Sequence, residues 1–388
     1  MRIAPRNPVL LVLILISVGA CLFAGFLSDA PNRLISGRPL MLWEATGAPM
    51  HLALALLAAA LLTLSWAKTS RTAAASALTI AGVLLLLLFF AAGHCAAILM
   101  AESRPATRIA LGPAFWIAVF SIAMAMLDAL QRIAAGGVAR FLVVGILVLA
   151  LAAMTAAGVF DQLSIMREYA ARREVFAGEL VRHGVLVLAS GAAALAIGVP
   201  LGILVARRPA AGGAVFGTLN LLQTIPSVAL FGLLIVPLSA LAAAVPVLAA
   251  LGVAGIGPAP AIIALVLYSL LPMVRNTQAA ITGVDRTVVD AARGMGLTKA
   301  QLFWRIELPL GLPTMIAGLR IMLVQTIGLA VVAALIGAGG LGTFVFQGIG
   351  QYATDLVLLG AIPTILLALA ADFLLTTLIL VLTRGTAP

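Results

Sequence analysis

Long apolar runs separated by short polar breaks organise this chain. A helix needs about 20 consecutive apolar residues to cross the hydrocarbon of a bilayer. Runs of that kind fall near residues 8–27, 50–66, 76–99, 112–127 and 141–160, and again near 183–206, 215–238, 258–275, 313–336 and 356–382. The pattern predicts an all-α polytopic membrane protein with about ten transmembrane helices. The stretch 240–257 is apolar but rich in Gly and Pro, and reads as a re-entrant segment or a further short helix. Residues 161–182 carry mixed charges (Arg167-Glu168, Arg172-Arg173-Glu174) and read as an external helix or linker. They divide an N-terminal five-helix extension, 1–160, from a second membrane domain, 183–388.

Proline distinguishes the halves. Pro200, Pro226, Pro237, Pro272 and Pro363 all fall inside predicted spans of the second domain, whereas the prolines before residue 160 lie at or beyond span ends. A proline inside a membrane helix frees a backbone carbonyl, which neighbouring helices or a water-lined cavity must satisfy. Broken helices mark transport sites, so the second domain reads as the working core and the first as regular packing helices.

Composition agrees with the bilayer as solvent. Of 388 residues, 63% are hydrophobic and 9% charged, against about a quarter charged in a soluble domain. The net charge of +10 sits in the breaks between apolar runs, not in a face or tail of the kind that binds nucleic acid. With the N-terminus inside, fourteen Lys and Arg residues fall in inner segments and eight in outer ones, which places both termini in the cytoplasm by the positive-inside rule. The start of the chain, ending Val18-Gly19-Ala20-Cys21, is passably like a lipoprotein cleavage site. Because further spans follow, an uncleaved first span is the simpler reading. Cys21, Cys95 and three scattered histidines form no metal-ligand spacing, and no metal is expected.

The longest cytoplasmic break, 276–312, carries the most information. Asp285 can cap a short helix running to Arg293, Gly294 and Gly296 permit a sharp turn, and Thr298 can cap a second helix through Trp304 that Pro309 stops. Two short helices joined by a glycine turn would make a rigid knob.

At this loop the chain resembles the permease subunits of ABC importers. Those carry Glu-Ala-Ala, three residues, Gly, nine residues, Ile, one residue and Leu-Pro; Asp290-Ala291-Ala292, Gly296, Ile306 and Leu308-Pro309 fall at those spacings, with Asp290 in place of Glu. Leu222-Gln223-Thr224-Ile225-Pro226-Ser227, the segment from Tyr268 to Thr277, and Leu335 to Gly342 look like the osmoprotectant permeases for betaine, choline and carnitine. The likeness covers about 180–382, with 1–160 resembling an extension found in longer members. It implies a permease core of the methionine/betaine importer type in a bacterial cytoplasmic (inner) membrane. The loop would dock on separate ABC ATPase subunits, which hold ATP and Mg. A periplasmic or extracellular binding protein would deliver substrate, and a second permease copy or a related permease would complete the path. No cofactor and no enzyme activity are expected on this chain, which has no Gly-rich phosphate loop.

Other residues keep two readings. Gln223, Thr224, Pro226, Ser227 and Tyr268 could line the translocation path, Tyr268 through the attraction of an aromatic face for a quaternary ammonium group; interhelical packing is the plain alternative. Arg320 and Asp372 lie inside predicted spans. They could pair with each other, or Asp372 could attract a cationic substrate. Gly198 with Gly202 and Gly213 with Gly217 match small-residue helix contacts. The function expected is uptake of osmoprotectants of the glycine betaine and choline type. An amino acid such as methionine is the alternative cargo, and an ion-coupled secondary transporter the alternative class.

Overall fold

A computed structural model describes residues 5–384 apart from 33, 34, 36, 69, 102, 105 and 251. Arg2, Arg33 and Glu102, which enter the charge count above, and residues 385–388 of the second domain lie outside the described residues. The chain divides into two compact units, residues 1–171 and 172–388.

The first unit runs α1 (Pro8–Phe23), β1 (Leu27–Ala30), β2 (Arg38–Leu40), α2 (Leu42–Ala45), α3 (Ala48–Trp66), α4 (Arg71–Ala101), β3 (Arg108–Leu111), α5 (Pro113–Arg132), α6 (Gly137–Ala156) and α7 (Ser164–Ala171). Asn7 opens α1: its side chain accepts from the Leu10 amide, and Pro8 follows at the first helical position, where a missing N–H costs nothing. The predicted first span, 8–27, is too long by several residues. The chain leaves the helix at Phe23, where Ala24 turns extended at φ −128°, ψ 156°, and Gly25 then lies so close to Pro39 that a Cβ would sit 2.8 Å away. Leu27 then enters an antiparallel sheet of order β2-β1-β3, with Leu27 opposite Leu40 and Leu111. These strands of three or four residues are too short to show alternation, which is why the sequence reads as helix and loop there. Phe26, Leu27 and Ile109 bury the sheet's inner edge, and Phe115 packs edge-on to Phe26 and Phe89 at 5.8 and 5.1 Å.

The second unit runs α8 (Arg173–Arg207), α9 (Pro209–Thr224), α10 (Ser227–Ala244), α11 (Pro246–Ala250), α12 (Pro258–Thr282), α13 (Arg286–Gly294), α14 (Lys299–Leu302), α15 (Leu308–Val332), α16 (Gly342–Gly350) and α17 (Thr354–Arg384). The stretch 161–182, expected as an external helix or linker, is largely helical: it holds α7 and the first turns of α8, a continuous helix of 35 residues that starts at Arg173, since Arg and Glu are good helix formers. The expected span 215–238 is two helices. Pro226 denies a helical conformation to the residue before it, and Ile225 takes φ −73°, ψ 127°. The 240–257 stretch holds the five-residue α11 and a loop whose Gly257 amide bonds the Ile336 carbonyl at 2.8 Å. Among the described residues, nine helical segments are long and apolar enough to cross a membrane, with α1 shorter at 16 residues.

At the centre of this unit, α12 packs against α8 and α15, with α9 and α10 also on it. Close approach to α8 is set by glycine: a Cβ on Gly198 would meet Met273 at 2.9 Å, and one on Gly202 would meet Thr277 at 2.5 Å. Gly213 and Gly217 face open space instead, so the second glycine pair makes no such contact within the chain. The buried core between α8, α10, α12 and α15 includes Leu186, Phe231, Leu265 and Ile327.

Candidate functional site

The elbow between α12 and α15 is built from local signals. Asp285 caps α13, its carboxylate accepting from the Thr287 amide and hydroxyl, both at 2.8 Å. The bond from the backbone amide, then the one from the hydroxyl, holds this carboxyl below its ordinary range. At the end of α13 the amides of Gly296 and Leu297 turn back to the carbonyls of Arg293 and Ala292. Gly296 takes φ +81° in open space, a conformation that costs a residue with a Cβ about 1–2 kcal/mol. Thr298 and Gln301 then cap α14 reciprocally, at 3.3 and 2.9 Å, the arrangement that satisfies two otherwise unpaired amides.

Pro309 does not stop the second helix. Phe303–Glu307 form a π-helical turn in which the Leu308 amide reaches back five residues to the Phe303 carbonyl. The helix continues from this turn into α15, with Pro309 in its first turn. A regular α-helix would set the proline ring against the carbonyl four residues earlier; a widened turn relieves that crowding. The elbow is therefore a short helix, α13, joined through one glycine turn to the start of a long rigid rod. Ala292 and Leu302 are buried, while Met295 and Trp304 are 73% and 65% exposed at its tip. Asp290 and Ala291 are also exposed, with Arg293 Nη1 3.4 Å from Asp290 Oδ1. Ile306 and Leu308 are half-buried, and Pro309 is exposed.

Sequence reasoning counted Glu307 and Arg207 only as loop charges. In the structure Glu307, in the π-turn, is buried, and Arg207 at the end of α8 grips it with both terminal nitrogens. Nη1 donates to Oε1 at 2.9 Å, and Nη2 donates to Oε2. A bidentate guanidinium–carboxylate pair fixes direction as well as distance. No local signal could reveal it, because the partners lie 100 positions apart.

Of the expected path residues, Gln223 and Tyr268 meet at the break between α9 and α10. Gln223 Nε2 donates to the Tyr268 carbonyl at 2.9 Å, and the Tyr268 hydroxyl donates to the Ile225 carbonyl. Tyr268 is buried with its ring packed in the core. Thr224 bonds back to Leu221 on its own helix at 2.7 Å, and Pro226 is exposed beside half-buried Ser227. Nearby, Ser269 and Thr326 share a buried hydroxyl contact of 2.8 Å between α12 and α15. Arg320 Nε lies 3.4 Å from Asp372 Oδ1, and its Nη1 donates to Thr376 at 2.8 Å.

The glycine-rich segment before α16 takes positive φ at Gly337, Gly339 and Gly340. Glu179 of α8 accepts the Gly340 amide and lies 3.4 Å from the Thr343 hydroxyl, a clamp that sequence reasoning missed.

Residues 198–380 match the family described as "Binding-protein-dependent transport system inner membrane component", and residues 5–166 match "ABC transporter permease YehY, N-terminal domain". The carnitine transport permease protein OpuCB of Listeria monocytogenes is 41% identical over 50% of this chain and 82% of its own length. The osmoprotectant import permease protein OsmW of Salmonella typhimurium is 41% identical over 52% of this chain and 89% of its own. This chain belongs to the permeases of binding-protein-dependent ABC importers. The permease is a multi-pass integral protein of the inner membrane, in its longer form with an added N-terminal membrane region. A glycine betaine/carnitine/choline transport system permease, OpuCB of Bacillus subtilis, is 37% identical over 46% of the chain and 75% of its own length. Among solved structures, a chain of the MetNI methionine ABC transporter in an inward-facing conformation is 21% identical over 55% of the permease and 98% of that chain, with a TM-score of 0.48.

Proposed function

We propose that the permease imports osmoprotectants of the glycine betaine, choline and carnitine type, driven by ATPase subunits on separate chains that grip the elbow around Gly296. The observation that carries this reading is the elbow: a short capped helix with exposed Met295 and Trp304, turned by Gly296 onto a helix that continues into the membrane core. An apolar tip on a rigid element is what a partner's groove can hold. The substrates for which the relatives are named support the cargo. The charge balance of the breaks supports an orientation with both termini and the elbow in the cytoplasm.

When the ATPases close, the elbow moves and the rod of α14, the π-turn and α15 carries that displacement to the Ser269–Thr326 contact. The Arg207–Glu307 pair passes it to α8. Asp290, Ala291, Ala292, Gly296, Ile306, Leu308 and Pro309 form the coupling loop. Gln223, Thr224, Pro226, Ser227 and Tyr268 surround the break that rearranges as the path opens. A substrate-binding protein outside delivers the cargo, and a second permease copy or a related permease supplies the facing wall.

Reconstitution in vesicles with ATPase and binding protein, measuring uptake of labelled glycine betaine, choline, carnitine and methionine, tests this. ATP-dependent uptake of the quaternary ammonium compounds but not methionine is expected. Gly296→Arg is expected to abolish both uptake and ATPase co-purification while leaving the permease inserted. Full uptake by that variant would sink the assignment.

A further inference from the structure

The first unit holds a recess that the transport mechanism does not use. At one end of the unit the start of α1, the end of α3, the start of α4 and the end of α5 enclose a cavity of about 360 Å³. Its rim carries Lys68, Arg71 and Arg132 against one carboxylate, Asp128, and its walls are leucine and alanine side chains of the same four helices. Asp128 is already engaged: Asn7 Nδ2 donates to it at 2.9 Å and Arg132 Nε at 2.7 Å, while Arg132 Nη2 donates to Asn7 Oδ1 at 3.0 Å. Lys68 and Arg71 are exposed and have no hydrogen-bond or ion-pair partner among the described residues. Ser70 caps α4 by accepting the Ala73 amide at 3.0 Å, and the amides of Arg71 and Thr72 ahead of it have no intrahelical acceptor at the same rim. The recess thus combines a positive mouth, a helix N-terminus and a greasy interior at the ends of membrane helices.

We propose that this recess binds a phosphate group, supplied by the headgroup of an anionic phospholipid whose acyl chains lie along the apolar walls. Uncompensated cations focused by low-dielectric walls attract anions, and basic pockets between membrane helices take acidic headgroups. A free phosphate would satisfy the rim but leave the apolar interior unused. Asp128 holds Arg132 and Asn7 in place and so shapes the rim without neutralising it.

The test uses the full-length permease purified with its ATPase and examined by native mass spectrometry for retained lipid, with thermal unfolding as a second readout. Retention and stabilisation by phosphatidylglycerol, and not by phosphatidylcholine, are expected. Each basic residue near an anionic headgroup is worth about a factor of five, so Lys68→Gln with Arg71→Gln is expected to weaken retention about twenty-five-fold. Both side chains are exposed, so the variant folds, and Arg140→Gln, a cation at the start of α6 outside the recess, should change nothing. Stabilisation of the wild type by millimolar sodium phosphate alone, lost in the double variant, would assign the same site to free phosphate. Equal retention of both lipids with no effect of phosphate, or an equal loss in Arg140→Gln, would overturn the proposal.

Discussion

At the scale of single residues, the Arg207–Glu307 pair is the contact most exposed to test. Glu307's side chain is 4% accessible and Arg207's 41%, so one partner is in a dry setting and the other is partly screened by water. Removing the cation leaves a buried carboxylate without compensation, which is worse than removing the anion. Arg207→Met is therefore expected to lower stability by about 1–3 kcal/mol, the cost of a buried charged group that loses a partner partly screened by water. Glu307→Gln should cost less because its amide oxygen still accepts. The exchange Arg207→Glu with Glu307→Arg should recover part of the loss if pairing is what matters. Thermal unfolding checks the first effect, and uptake by variants matched for expression checks whether the tie also transmits coupling. If the exchanged pair proved no better than the single variants, the two residues would be acting separately.

At the scale of elements, the break between α9 and α10 is where the proposed path would rearrange. Tyr268 satisfies the Ile225 carbonyl at that break, and Tyr268→Phe removes one neutral hydrogen bond, for a loss of about 0.5–1.5 kcal/mol. Pro226→Leu acts differently. It restores an amide and allows Ile225 a helical conformation, so α9 and α10 can join into one straight rod. That variant is expected to unfold no earlier than wild type and yet to transport poorly, a split that thermal unfolding and vesicle uptake measure directly. Undiminished uptake by Pro226→Leu would show that the bend is only packing.

The same elements show what local sequence can and cannot carry. Apolar runs locate helices because lipid demands a minimum length, and Asp285 and Thr298 declare their helix starts because capping is decided within three residues. The turn at Gly296 was legible from its glycine, whereas the spacing from Asp290 to Pro309 was read through the family resemblance. Pro309 misled because a proline's effect depends on the turn before it, and the π-turn at Phe303–Glu307 has no local signature. The strands around Leu27 and the clamp by Glu179 depend on segments far apart in the chain, so only the fold could reveal them.

At the scale of the whole molecule, the question is which part transports. The curated relatives align with about half of this chain while most of their own length is covered, so an importer permease of this family is complete at roughly the size of the second unit. That unit buries its own core, from Leu186 on α8 to Ile327 on α15, and a unit with its own core can fold alone. Its orientation signal also travels with it, since Arg207 and Arg208 follow the apolar stretch of α8 and favour the cytoplasmic side. Residues 172–388 are therefore expected to insert, to bind the ATPase through Gly296, and to support uptake on the order of that of the full chain in reconstituted vesicles. The truncated permease should also lose selective retention of phosphatidylglycerol, because Lys68, Arg71 and Arg132 leave with the first unit. Those two readouts separate the roles of the units. Loss of uptake in a truncated chain that still inserts and still binds its ATPase would make the first unit part of the transport machine.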